Sequence, residues 1–243
     1  MSDPGHLIRS LSGRQSARNF HSFVITEIGL GVASGGFATG SILPNDADLM
    51  ARYDVSRTVL REALKTLEAK GLVEARAKVG TRVMPRSRWN LFDRQVLFWV
   101  FHARPEPGFI DALLEVRATM ERQAAGLAAL RRGAEQVRMM RYWLVQHDLA
   151  AQMPEPCGLA AFEIHRLIAE ASQNPLLRSG TGLAEFGLAA ALRARMARGD
   201  TEFSSAKSAI YDRLVSAIEG GKPDAATSAM DEALSCDAGH ITA

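Results

Sequence analysis

YDVSRTVLREALKTLEAKGLVEARAKVGTRV, residues 53–83, sets a helix directly before a hairpin. Ser56 is a good N-cap, although Val59 stands where a capping box would place Glu or Gln. Leu60, Ala63, Leu64 and Leu67 recur at helical spacing and Gly71 supplies the stop, so the pattern predicts a helix over Ser56–Lys70. Arg57 and Arg61, at i and i+4, share one side of that helix. Such a helix needs no cations to fold. The bland reading is a solvated charged face; the sharp one is a surface for a polyanion. Beyond Gly71, LVEARAKVGTRV alternates and turns around Val79–Gly80, which reads as a two-stranded hairpin.

Upstream, apolar residues over Phe23–Val32 have roughly helical spacing, and ASGG ends them. Ile42–Pro44 reads as a short extended piece. Asn45 then caps a helix in NDADLMARYD whose first turn carries Asp46 and Asp48. Helix, helix, turn, helix, hairpin is the order of a winged helix-turn-helix. In that motif the Ser56–Lys70 helix enters the major groove with its N-terminal residues toward the base edges. Arginine there offers a fork that fits guanine or a phosphate. Arg76, Lys78 and Arg82 on the hairpin would reach the flanking backbone.

Composition agrees with this placement. The 243 residues carry a net charge of only +2, yet the charge is −1 over residues 1–50, +6 over 51–90 and −3 over 91–243. A basic block on a near-neutral chain is the footprint expected of a polyanion-binding module. Cys157 and Cys236 form no metal or disulfide spacing. No apolar run is long enough for a membrane span, and the first residues lack the core of a signal peptide. The expectation is a cytoplasmic protein without a membrane partner, with residues 1–19 as a flexible tail.

After Pro85 the texture becomes rich in Ala and Leu, with almost no strand signal. Helices are expected near Asp93–His102, Phe109–Arg131, Ala134–Ala151, Leu159–Ala171, Pro175–Arg198, Phe203–Glu219 and Pro223–Cys236. The fold class expected is therefore mainly α. Its parts are the winged helix-turn-helix at 20–85, a linker at 86–93, and an all-helical bundle at 94–243.

Residues 53–83 resemble the DNA-binding domain of the GntR family of bacterial transcription regulators. LP at 43–44, VSRTVLREALKTLEAKGLVEAR at 55–76 and GTRV at 80–83 carry the likeness. The remainder is similar to the helical effector domain, FCD, of the FadR subfamily, through LLEVRATMERQAAGLAA (113–129), HRLIAEASQNPLL (165–177) and LVSAIEGGKPDAATSAM (214–230). WNLFDRQVLFW (89–99) resembles the junction in sugar-acid regulators, including galactonate-type repressors. The resemblance implies a homodimer that binds a pseudo-palindromic operator and responds to a small carboxylate effector. It assigns DNA contacts to Ser56, Arg57, Thr58 and Arg61, with the wing contributing near Lys78–Gly80. Ala47 stands where one branch has another arginine, a loss for which Arg52 is placed to compensate.

Many FCD domains hold a divalent metal, Zn or Ni, through an Asp and a His on one helix and two later His. The corresponding positions here are Ala161, His165, Tyr211 and Ala233, so one ligand of four is kept and no metal cofactor is expected. Glu163, two residues from His165, points to another side of the helix. His147 and Asp148 read as surface residues. The resemblance places Arg117 toward the pocket, where with His165 and Tyr211 it would form a metal-free carboxylate site; the bland alternative is an ion pair with Glu115 or Glu121. An effector-insensitive DNA-binding protein with a degenerate pocket is the alternative function. A hydrolase is disfavoured: HExxH, a nucleophile elbow and a carboxylate cluster are all missing.

Overall fold

The computed structural model describes residues 4–11, 20–203 and 205–242. In chain order, α1 (His6–Ser10), α2 (Phe20–Ala33), α3 (Asp46–Tyr53) and α4 (Arg57–Ala69) precede strands β1 (Val73–Arg76) and β2 (Gly80–Val83). A 3-10 turn at Arg86–Arg88 leads to α5 (Arg94–His102). There follow α6 (Pro107–Arg131), α7 (Ala134–Leu149), α8 (Pro154–Ala171), α9 (Pro175–Ser179), α10 (Thr181–Ala197), α11 (Ser205–Glu219) and α12 (Pro223–Thr242). Two units result: Gln15–Pro105, and α1 together with Glu106–Ala243.

The first unit is the winged helix-turn-helix. Asn45 caps α3, its Oδ1 accepting from the Asp48 N–H at 3.0 Å, and Asp54 at φ 51° turns the chain into α4. Leu60, Ala63 and Leu67 are fully buried; α4 packs on α2, α3 and β1. Gly71, at φ 79°, follows, and a Cβ there would come within 2.1 Å of the Arg88 carbonyl oxygen. Both the left-handed backbone and the close approach demand glycine. β1 and β2 pair antiparallel with Arg76 opposite Gly80, so the turn is Ala77–Val79 and Gly80 opens β2 rather than making the turn. Lys78 adopts φ 62° at its tip. Ile42 bridges to Arg82, making the expected extended piece a third edge of the wing.

Residues 86–93, expected as a linker, are packed. Trp89 is buried and its Nε1–H donates to the Met84 carbonyl at 3.0 Å, while the Asn90 N–H donates to the Lys70 carbonyl at 2.9 Å. Lys70 pairs with Asp93 at 2.6 Å, and the same Asp93 caps α5. α5 buries Val96, Leu97, Trp99, Val100 and Phe101 and packs on α2, where a Cβ at Gly29 would clash with the Trp99 ring. Helix α5 therefore belongs with Gln15–Pro105, not with the bundle expected from residue 94.

The second unit is an all-helical bundle. Residues 180–192 are buried throughout, which makes α10 the central helix, against α6, α8 and α12. The helix expected over 175–198 breaks at Gly180, where the Met120 side chain fills the space a Cβ would need. The tail reading also changes. Leu7 and Ile8 of α1 are buried against α8 and α10, and the Leu7 N–H donates to Glu185 Oε1 at 2.7 Å. Residues 1–3 and 12–19 of that expected tail lie outside the described residues.

Candidate functional site

Two groups of side chains stand out, one in each unit. On the winged helix-turn-helix, Ser56, Arg57, Thr58 and Arg61 are all exposed on the first turns of α4. Ser56 Oγ accepts from the Val59 N–H at 3.4 Å, which leaves its hydroxyl proton free to donate. The uncapped N–H groups of this turn and the helix dipole favour an anion at the same end. Among the described residues, neither Arg57 nor Arg61 has an ion pair or side-chain hydrogen bond. Lys65, the next residue along this face, was missed by the sequence reading; it is exposed but held by Glu62 at 2.8 Å.

The remaining cations are more committed. Arg52, at the end of α3, stacks over Phe37 and Tyr53, 5.8 and 5.6 Å from the ring centroids. Arg76 binds Glu74 at 2.7 Å, and that hydrogen bond holds the Glu74 carboxyl below its ordinary value. Arg82 donates to the Gly40 carbonyl at 3.0 Å, bracing the wing rather than reaching out. Lys78 and Gly80 are exposed at the hairpin.

In the bundle, Arg117, His165 and Tyr211 do come together, in one buried polar network. His165 Nδ1 lies 3.0 Å from Glu121 Oε2 and its Nε2 lies 3.1 Å from the Tyr211 hydroxyl. Arg117 donates from Nη2 to Asp237 Oδ2 at 2.9 Å, and its Nε lies 3.3 Å from Glu121 Oε2. The other oxygen of Asp237 accepts from Lys207. A Cβ at Gly187 would come within 2.3 Å of Arg117 Nη1, so glycine on α10 is what lets the guanidinium lie there. Of the two ion-pair partners expected for Arg117, Glu121 is present and Glu115 is exposed.

Two basic side chains, Arg117 and Lys207, face two carboxylates, Glu121 and Asp237. Burial works against the ionised form of Glu121, but Arg117 and His165 outweigh it and hold the carboxyl below its ordinary value. Burial opposes the charge on Asp237 as well, and Lys207 and Arg117 again win. Burial, reinforced by Asp237, lifts the Tyr211 phenol well above its usual range, so it stays a hydroxyl. Polar atoms remain unspent. Arg117 Nε and Nη1, Glu121 Oε1 and His147 Nδ1 are buried without a hydrogen-bond partner.

His147 corrects its sequence reading: it is 1% exposed, edge-on to the Tyr211 ring, while its neighbour Asp148 is at the surface. Burial, with Lys207 adding, pushes its pKa down to about 4, so the imidazole is neutral at pH 7. A cavity of about 30 Å³ is lined by His147, Cys157, Arg195, Phe203, Lys207 and Asp237 among others. A second, of about 20 Å³, adjoins Glu121 and His165. Each has room for a water or two, far below the ~300 Å³ of an ordinary ligand pocket.

The donor set does not fit a divalent metal. Ala161 and Ala233 supply no ligand, the Tyr211 phenol keeps its proton, and both nitrogens of His165 are already hydrogen-bonded. Among the described residues no group of three His, Cys, Asp or Glu is placed to hold an ion. The same residues include no helix long and apolar enough to cross a membrane.

Known proteins sharpen both halves. The family described as bacterial regulatory proteins, gntR family, matches residues 22–83, and the FCD domain matches residues 112–235. The HTH-type transcriptional regulator YieP of Escherichia coli K12 is 36% identical over 179 residues, covering 71% of this chain and 77% of that protein. The galactonate operon transcriptional repressor of the same organism is 30% identical, covering 64% and 68%. A solved structure of Lar, which controls the expression of the agr system in Listeria monocytogenes, shares the fold at a TM-score of 0.59 and 14% identity, covering 94% and 97%. These curated relatives are transcriptional regulators, not enzymes. This chain belongs to the gntR family of bacterial regulatory proteins, a DNA-binding transcriptional regulator with an FCD domain.

Proposed function

We propose that this regulator is a cytoplasmic repressor that binds a pseudo-palindromic operator as a homodimer and answers to a small carboxylated metabolite of the sugar-acid class. The observation that carries the DNA half is the pair Arg57 and Arg61, exposed and unpartnered among the described residues at the capped end of α4. In this reading they take base edges, with Ser56 and Thr58 beside them. Arg52, Arg76, Lys78 and Gly80 take the backbone on either side. A two-fold protein then matches a two-fold site.

The effector half rests on Arg117, His165 and Tyr211 sharing one network, and on a relative that represses the galactonate operon. A second reading, a regulator insensitive to small molecules, draws support from the closed, charge-balanced core. Selection of bound sequences from a random DNA pool tests the first half: an inverted repeat supports the dimer, and an asymmetric or random outcome contradicts it. A thermal-shift series with D-galactonate, D-gluconate and D-glucuronate tests the second. Binding at 100-fold above Kd stabilises by about 2.7 kcal/mol, whereas an insensitive core shows no change.

A further inference from the structure

Arg117 and Lys207 share a single carboxylate. Asp237 presents one oxygen to each, Oδ2 to Arg117 Nη2 at 2.9 Å and Oδ1 to Lys207 Nζ. Two basic side chains hold a ligand carboxylate in the same way, one oxygen apiece. All three groups are withdrawn from water, with side chains 0%, 6% and 2% exposed for Arg117, Lys207 and Asp237. Arg117 still has Nη1 without a hydrogen-bond partner, while its Nε faces Glu121 Oε2 at 3.3 Å. The 30 Å³ cavity touches both Lys207 and Asp237, so the shared carboxylate already borders empty space. Asp237 itself lies past residue 235, where the FCD match ends, near the end of α12.

We propose that Arg117 and Lys207 form a carboxylate-binding site, and that Asp237 is a tethered occupant which an external carboxylate must displace. The inference deepens the effector reading above and rests on it. Charge makes the two occupants exclusive. With Glu121 in place, the two cations balance Asp237; a second carboxylate beside it would leave an uncompensated negative charge in the core. Entry of a ligand therefore releases Asp237, and with it the end of α12. Arg198 also holds that end, donating to the His240 carbonyl at 2.8 Å.

The test is Asp237→Ala in the full chain, melted in sodium formate or sodium acetate against sodium chloride at equal ionic strength. Loss of the tethered carboxylate leaves Lys207 without its partner and Arg117 with Glu121 alone, one uncompensated positive charge in the core, so the melting temperature in chloride should fall by about 5–15 °C. Formate or acetate should then restore it saturably, with no such effect on the wild type. D-galactonate should bind the variant about ten-fold more tightly or better, because the internal competitor is gone. If the variant is unfolded in chloride, refolding in formate supports the site and failure to refold overturns it.

A variant that melts with the wild type, or that treats formate and chloride alike, also overturns it. The double variant Asp237→Ala/Lys207→Ala should recover part of the stability and lose the formate response; a retained response contradicts the role of Lys207. Formate rescue without any response to sugar acids leaves the carboxylate site standing and removes only the sugar-acid class.

Discussion

Arg57 and Arg61 differ from Arg52, Arg76 and Arg82 in what they already hold. The last three spend their guanidinium groups on aromatic rings, on Glu74 or on the Gly40 carbonyl; the first two have no ion pair or side-chain hydrogen bond among the described residues to give up on meeting DNA. Replacing either with Ala should weaken binding to the selected operator by about 1–3 kcal/mol, read by anisotropy titration, and Arg76→Ala by less. His147 yields a pH prediction. Its folded pKa, about 4, lies below the ordinary value of 6.5, so below pH 6.5 the unfolded chain takes up a proton that the folded one refuses. Stability from this residue is thus fully present above pH 6.5 and is lost as pH falls toward 4, at about 1.4 kcal/mol per unit. Urea unfolding of His147→Gln from pH 7 to 4.5 should show a shallower pH dependence than the wild type; equal slopes would contradict a buried neutral imidazole.

At the level of elements, helix α4 was legible because several independent signals agree on it: the cap at Ser56, the spacing of Leu60, Ala63 and Leu67, and the stop at Gly71. Gly71→Ala should cost at least about 2 kcal/mol by chemical denaturation, since it strains the backbone and drives a methyl into the Arg88 carbonyl. Helix α1 was not legible. It is five residues long, too short for periodicity to register, and it forms because Leu7 and Ile8 find a bundle to lie on. Ile8→Ala should therefore destabilise the bundle by about 2–4 kcal/mol, where a loose tail would give no change. The buried network was half legible. Arg117, His165 and Tyr211 were found, but Glu121 was named only as an alternative partner, and Lys207 and Asp237 were overlooked. Each lies one helical turn from a position already singled out: Glu121 from Arg117, Lys207 from Tyr211, Asp237 from Ala233. Reading the i±4 neighbours of each position would have recovered all of them. His147 was misplaced because a lone His beside an Asp looks solvated until the helix packing is known.

For the molecule as a whole, the division into units does not fall where the composition changes. Residues after Pro85 read as the start of the helical half, yet Trp89, Asp93 and the apolar face of α5 complete the DNA-binding unit. A fragment of residues 15–105 should accordingly unfold cooperatively, and one of residues 15–93, deprived of the five buried side chains of α5, should not. Charge follows the same partition, with +6 concentrated over residues 51–90 of a chain that carries only +2. Binding that rests on this block should fall steeply with salt. Reading of DNA by the N-terminal arginines of α4 is tested by the salt-dependent affinity of Arg57→Ala/Arg61→Ala for the selected operator. The double variant should fold like the wild type, bind operator no better than random DNA, and show a shallower dependence of log K on log salt. Wild-type affinity and salt slope in the double variant would contradict it.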